Sequence, residues 1–203
     1  MAQAFGAVDS RPVADDWERR WRRFHQPVRL GSLWIGPPWR TPAADALPVV
    51  IDPGRAFGTG GHATTRLCLE LLEELPRGSL LDVGCGSGVL SIAAVKLGFA
   101  PVIAVDTDPN AVEATTANAR RNGVALDVRP ADGRADELPA ADVAVANIAL
   151  DVVEALLPRL KAPVAVTSGY RGEDRLAAPG WRSRAVRERE GWASHVWELA
   201  EPT

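Results

Sequence analysis

Residues 80–106 form a unit whose order leaves few alternatives: an apolar run "LLDVG", a loop "CGSG", a helical pattern "VLSIAAVKLG" and a second apolar run "PVIAVD". Two apolar runs joined by a helix-length segment pair in parallel, because antiparallel neighbours need only a short turn. A parallel sheet must be covered on both faces. The same alternation continues downstream. "DPNAVEATTANARRNG" predicts a helix capped by Asp108, with Pro109 in its first turn and Gly123 closing it. "ALDVRP", "ADVAVANIA", "PVAVTSG", "SRAVRER" and "ASHVWELA" are further strand candidates. The predicted class is α/β: a mostly parallel sheet with helices on both faces.

Upstream the pattern changes. Residues 1–45 read as an N-terminal arm and linker, and residues 46–203 as the main domain. In "DDWERRWRRFHQPVRLGSLWIGPPW", Asp15 or Asp16 can cap a short helix with Trp17, Trp21 and Phe24 on one face, ended by Pro27. "VRLGSLWIGPPW" reads as a hairpin or two extended pieces, and "TPAADALP" at 41–48 as a linker. Four of the seven tryptophans fall between Trp17 and Trp39. Two readings stay open for them, packing on the main domain or a partner surface rich in Trp and Arg. Arg19, Arg20, Arg22 and Arg23 lie beside Glu18 and read as a solvated face.

The chain's 203 residues suffice for one substantial core. A net charge of −3 argues against dominant nonspecific binding to nucleic acid or anionic membrane. No apolar run is long enough to span a bilayer, and the first residues lack the apolar centre of a secretion signal. Cys68 and Cys85 have neither metal-site nor disulfide-framework spacing. The expectation is a soluble, cytoplasmic protein with reduced thiols and no metal.

"DVGCGSG" puts Asp82, Gly84, Gly86 and Gly88 at a strand-to-helix turn, where glycines permit left-handed backbone and close ligand approach. Asp106 ends the next strand, 22 residues beyond Gly84, where a carboxylate can accept from both hydroxyls of a ribose. A dinucleotide loop would require glycine or alanine where Val89 or Ser91 stands. The order acidic-x-G-x-G-x-G instead resembles the first motif of class I methyltransferases, which implies S-adenosylmethionine as cofactor.

A longer resemblance follows. "IDPGRAFGTGGHATTRLCLELLEEL", "LDVGCGSGVLSIAAVKLG", "AVDTDPNAVEATTANARRNGV" and "VANIAL" together resemble the ribosomal protein L-eleven methyltransferase (PrmA) family. That likeness implies a Rossmann-like seven-stranded sheet with an antiparallel C-terminal strand. It implies that residues 51–65 form a gate over the cofactor. Cofactor contacts would come from Phe57, Gly58, Thr59, Thr64, Thr65, Asp82, Gly84, Cys85, Gly86, Asp106 and Asn147, with Asp132 a weaker match. Asn147 would also orient the acceptor. Where related amino-group enzymes carry N-P-P-Y, this chain keeps Asn147 but has Ile148, Ala149 and Leu150. That departure argues against adenine or glutamine acceptors and fits lysine and N-terminal amines of a large-subunit ribosomal protein. The expected partner is a protein substrate, with no direct need for nucleic acid, no membrane and a monomeric state; a methyltransferase of the same fold acting on another protein, a small molecule or RNA, and a non-catalytic S-adenosylmethionine-binding module, stay open as alternatives. His62 stays open between a structural role and a place in the substrate channel. Family members carry an N-terminal substrate-recognition domain, of which only the connecting segment is seen here.

Overall fold

The computed structural model describes residues 25–53 and 58–200. The helix expected around Trp17, Trp21 and Phe24 lies outside the described residues, as does Phe57 of the gate.

Ten strands are described. β1 (Val28–Leu30), β2 (Leu33–Gly36) and β3 (Leu47–Val50) make a small sheet, with β1 antiparallel and β3 parallel to β2. β4 (Leu80–Val83), β5 (Val102–Asp106), β6 (Asp127–Pro130), β7 (Val143–Asn147), β8 (Val164–Arg171), β9 (Trp181–Arg189) and β10 (Trp192–Leu199) make the main sheet, ordered β6-β5-β4-β7-β8-β10-β9. β4 to β8 run parallel, and β10 is antiparallel to both of its neighbours. All seven strand candidates of the main domain are therefore realised, with the expected antiparallel C-terminal strand.

The helices are α1 (Ala63–Glu74), α2 (Val89–Leu97), α3 (Pro109–Asn122) and α4 (Leu150–Leu156), the last continued by a 3-10 turn at Leu157–Arg159. Sequence signals set their ends. Gly98 and Gly123 adopt left-handed backbone just past α2 and α3, and Asp108 caps α3 by accepting from the Asn110 N–H.

Alternation along the strands divides the core. Leu80 of β4 joins α1, α2 and the small sheet on one face, whereas Leu81 and Val83 join α4, Trp181 and Trp197 on the other. Leu33, Ile35 and Val49 of the small sheet belong to the first cluster, and Trp34 is buried beside Gly36. The 41–48 stretch is a linker only in part: β3 begins at Leu47, whose N–H donates to the Ser32 carbonyl at 2.8 Å. Edge strand β9 is guarded by charge, with Arg182 and Arg184 paired to Glu198 and Arg187 and Arg189 to Glu70.

The strand order reverses at the centre. From β4 the chain steps outward to β5 and β6, then returns to β7 on β4's other side. Such a switch point opens a crevice beyond the carboxyl ends of the two central strands. Gly84 follows β4 there, and Asn147 ends β7.

Candidate active site

The glycine loop leaves β4 with Gly84, Gly86 and Gly88 all in left-handed backbone, at φ of +77°, +56° and +80°. L side chains rarely adopt these angles, so the sequence selects glycine and thereby bares the main chain. The loop is tied down from several directions. The N–H groups of Gly84 and Cys85 donate to the Val105 carbonyl at 2.8 and 3.1 Å. The Gly86 N–H donates to Asp106 Oδ2 at 2.9 Å, while Asp106 Oδ1 accepts from the Asp108 N–H at 2.9 Å. Thr115 of α3 donates its hydroxyl to the Gly86 carbonyl at 3.0 Å.

The stretch upstream of α1 is held by α3 and by the glycine loop. Asn122 grips Val50, accepting from its N–H at 2.8 Å and donating to its carbonyl at 2.7 Å. Asn118 accepts from the Asp52 N–H at 3.0 Å and donates to the Ser87 carbonyl at 2.9 Å. The Ser87 hydroxyl in turn donates to the Gly58 carbonyl. Gly60 lies so close to β2 that a Cβ there would stand 2.4 Å from Ile35 Cγ2. His62 caps α1, its ring accepting from the Thr64 N–H and bonded through Nδ1 to the Thr64 hydroxyl at 2.8 Å. It also meets the Trp192 ring edge-on, with centroids 5.0 Å apart.

A cavity of about 330 Å³ opens beyond the central strands. Of the sequence-predicted residues, Gly58, Thr65, Gly84, Cys85, Gly86, Asp106 and Asn147 line it together, and so does Asp132. Asn147 donates its side-chain amide to the Thr65 hydroxyl at 3.3 Å, joining β7 to the first turn of α1. Thr59, Thr64 and Asp82 do not line the cavity. Thr64 is buried against His62. Asp82 is 1% exposed on β4, accepting from the Ser91 hydroxyl through Oδ2, while Oδ1 has no hydrogen-bond partner.

The electrostatics follow from these placements. Burial pushes the Asp82 carboxyl up to about 7. It pushes the Cys68 and Cys85 thiols up to about 12. Asp132 is held below the usual carboxylate range by hydrogen bonds from the backbone and side chain of Arg134. Among the described residues no group of three or more His, Cys, Asp or Glu is placed to hold a metal, and no helix is long and apolar enough to cross a membrane.

Sequence reasoning missed part of the wall, including Thr107, Ala131, Gly133, Arg134, Val152 and Leu156. A usable signal existed for two of them. Thr107 and Ala131 directly follow the carboxyl ends of β5 and β6, where ligands bind in open parallel sheets. Val152 and Leu156 stand four apart on α4, hence on one helix face.

Comparisons with known proteins bear on the family and the fold. Residues 6–196 match the family model described as ribosomal protein L11 methyltransferase (PrmA). A ribosomal protein L11 methyltransferase of Vibrio campbellii is 49% identical over 155 residues, covering 73% of this chain and 52% of the relative. One from Symbiobacterium thermophilum is 40% identical over 199 residues, covering 89% of this chain and 64% of the relative. The chain spans about half the length of most of the curated relatives it matches. A solved structure of a ribosomal protein L11 methylase from Lactobacillus delbrueckii subsp. bulgaricus superposes with a TM-score of 0.75 at 27% identity, covering 87% of this chain and all of that one.

Proposed function

The chain belongs to the ribosomal protein L11 methyltransferase (PrmA) family, and on that premise we propose that it transfers methyl groups from S-adenosylmethionine to lysine or N-terminal amines of a ribosomal protein. The observation that carries this reading is the convergence of the glycine loop, Asp106 and Asn147 on one cavity.

The residues present fit the cofactor. Its carboxylate and amino group suit the bare backbone at Gly84 and Gly86 and the hydroxyl of Thr65 at the start of α1. Its ribose suits Asp106, each of whose oxygens accepts a single backbone N–H and retains acceptor capacity. Its adenine suits the walls formed by Val152 and Leu156, with Asp132 able to accept from an exocyclic amine. When bound, the cofactor supplies an electrophilic sulfonium methyl group.

The protein's own part is alignment and exclusion of water. Asn147 gives one amide hydrogen to Thr65, which leaves its Oδ1 as an acceptor for an incoming amine N–H. An amine must arrive unprotonated to act as a nucleophile, and a free lysine has a reference pKa of about 10.4. The cavity's carboxylates have parts in holding the cofactor, Asp106 beside the glycine loop and Asp132 on the wall with Arg134, so neither is assigned as the base. Cys85 holds its proton, and Asp82 lies outside the cavity. Loss of the amine proton to solvent before docking is therefore the step this site accommodates.

Residues 1–45 are read as a Trp- and Arg-rich arm and linker, and residues 46–203 as the catalytic domain. The protein is read as a monomer acting in the cytoplasm; the two free, buried cysteines fit a reducing compartment. The test is isotopic methyl transfer from labelled S-adenosylmethionine to pooled ribosomal proteins. Label in one protein, lost in Asn147→Ala, supports the proposal. Label in RNA or small molecules alone overturns the acceptor class, and no label with cofactor binding intact overturns the activity.

A further inference from the structure

We propose that Gly169 is a positioning residue for methyl transfer: its bare backbone is the seat for the main chain of Ile148, and it thereby sets where Asn147 meets the acceptor. The role rests on the methyltransferase reading above; the geometry does not.

β8 runs parallel to β7 as far as the pair Asn147 and Ser168. Its pairing with β10 then skips one residue, since Ser168 faces Ser194 and Tyr170 faces Ala193. Gly169 is the residue left over, in left-handed backbone at φ +106°. Bulges of this kind bend a strand and re-aim what lies beside it. What lies beside it is Ile148, whose N–H donates to the Ser168 carbonyl at 3.1 Å. A Cβ on Gly169 would stand 2.0 Å from the Ile148 carbonyl oxygen, 2.7 Å from its carbon and 2.9 Å from its nitrogen. All three are main-chain atoms of the residue directly after Asn147.

Ile148 is held from its other side as well. A Cβ on Gly84 would stand 2.4 Å from Ile148 Cγ2. The residue is thus wedged between two bare glycines, its side chain on the cofactor loop and its main chain on β8. The two approaches differ in kind. A side chain can rotate away from Gly84, but nothing short of moving the backbone clears Gly169.

Which partner would yield is decided by what holds the bulge. Ser168 donates its hydroxyl to the Ala193 carbonyl at 2.7 Å, and Ser194 donates to the Thr167 carbonyl at 2.9 Å. Tyr170 is bonded to the Thr167 hydroxyl at 2.7 Å, and Trp197 donates to that hydroxyl at 2.8 Å. Ser168, Tyr170, Ser194 and Trp197 are all buried. β8 is therefore braced, and the loop at 148–149, whose Ala149 is exposed, is the part that moves.

The test compares Gly169→Ala with wild type in the full chain. Calorimetry should give an affinity for S-adenosylhomocysteine within about threefold of wild type, whereas kcat for methylation of pooled ribosomal proteins falls about 10²-fold, the scale set by a misplacement near 1 Å. Gly180→Ala is the control, since Gly180 shares the left-handed backbone but a Cβ there meets nothing within 4 Å. It should keep kcat. Adding Ile148→Ala to Gly169→Ala should restore nothing, because the obstacle is main chain. By NMR, the Asn147 side-chain amide signals should shift in Gly169→Ala and stay put in Gly180→Ala. If Gly169→Ala does not fold, Ser168→Ala, which loosens the bulge, should lower kcat several-fold with affinity kept. Unchanged kcat, parallel loss of affinity and kcat, rescue by Ile148→Ala, or unmoved amide signals would each overturn the proposal. A wild-type protein that methylates nothing would instead overturn the functional reading, and the NMR comparison would then decide the positional claim alone.

Discussion

Asn147 and Thr65 lie 82 residues apart in the chain, yet the side-chain amide of the first donates to the hydroxyl of the second at 3.3 Å. The bond ties the end of β7 to the opening turn of α1 and fixes the amide's orientation at the cavity wall. Thr65 is buried at the cavity wall, and its hydroxyl is the partner that holds the Asn147 amide. Thr65→Val should lower kcat roughly tenfold by freeing the Asn147 amide to turn, and Asn147→Ala should lower it about 10²-fold or more. Cofactor affinity should change far less than kcat in Asn147→Ala. Steady-state kinetics beside calorimetry read both, and an Asn147→Ala enzyme with wild-type kcat would remove Asn147 from the acceptor site.

Asp82 makes stability depend on pH. Its carboxyl is fully buried, has one unpartnered oxygen and is pushed up to about 7. An unfolded chain releases this proton near pH 4. Between about pH 4 and 7 the folded state therefore holds a proton that the unfolded state has lost, and stability falls as pH rises through that window. Below it both states are protonated, and above it both are ionised. Asp82→Asn removes the ionisation. The variant should gain on wild type steadily from pH 4 to 7, by no more than about 4 kcal/mol in all, and the gain should level off above pH 7. Denaturant unfolding at several pH values checks this, and a difference that does not vary with pH would contradict the buried, protonated state.

What the sequence made legible was local. The strand and helix order, the caps at Asp108, Gly98 and Gly123, and the loop joining Gly84 to Asp106 all depend on residues near one another in the chain. What it hid depends on pairing at a distance. β3 looks like the tail of a Pro- and Ala-rich linker because its partner is β2, and parallel pairing leaves no turn signature. Asp82 reads as a cofactor contact by its motif position, but alternation along β4 turns it toward Ser91. Gly169 looks like any strand glycine until β10 skips it. The structural part of His62 is visible only once α1 is seen to begin at Ala63.

Asn118 is the least legible residue of the site and one of the most connected. It is 2% exposed and bridges Asp52, upstream of α1, to Ser87 of the glycine loop. Asn118→Ala would strand a backbone N–H and a backbone carbonyl, costing about 1–3 kcal/mol for each group that stays unsatisfied. It should also weaken cofactor binding several-fold, because the Asp52 segment and the glycine loop lose their common support. Asn122→Ala removes the bonds to Val50 and one to the Asn118 carbonyl within α3, leaving the Asn118 side-chain bridge in place. It should destabilise comparably while leaving affinity near wild type. If both variants lower affinity alike, the effect is general loosening of α3 rather than the bridge.

Cys85 lies in the cavity wall, yet its thiol should be inert. It is 5% exposed, accepts a hydrogen bond from Thr115, and is pushed up to about 12 by burial and by the nearby Asp82 carboxylate. Cys68, on the buried face of α1, is fully buried and pushed up to about 12 as well. Only the thiolate attacks an alkylating reagent, and a free cysteine has a pKa of about 8.5. At pH 8 each thiol should therefore react about 10³-fold more slowly than free cysteine in the folded protein. When labelling does occur it should reach both residues at one rate, set by global opening of the domain. Mass spectrometry of iodoacetamide-treated protein separates the two sites. Rapid labelling of Cys85 alone, suppressed by S-adenosylhomocysteine, would mean that the glycine loop opens by itself, and that the ties from Asp106 and Thr115 are weaker than their geometry implies.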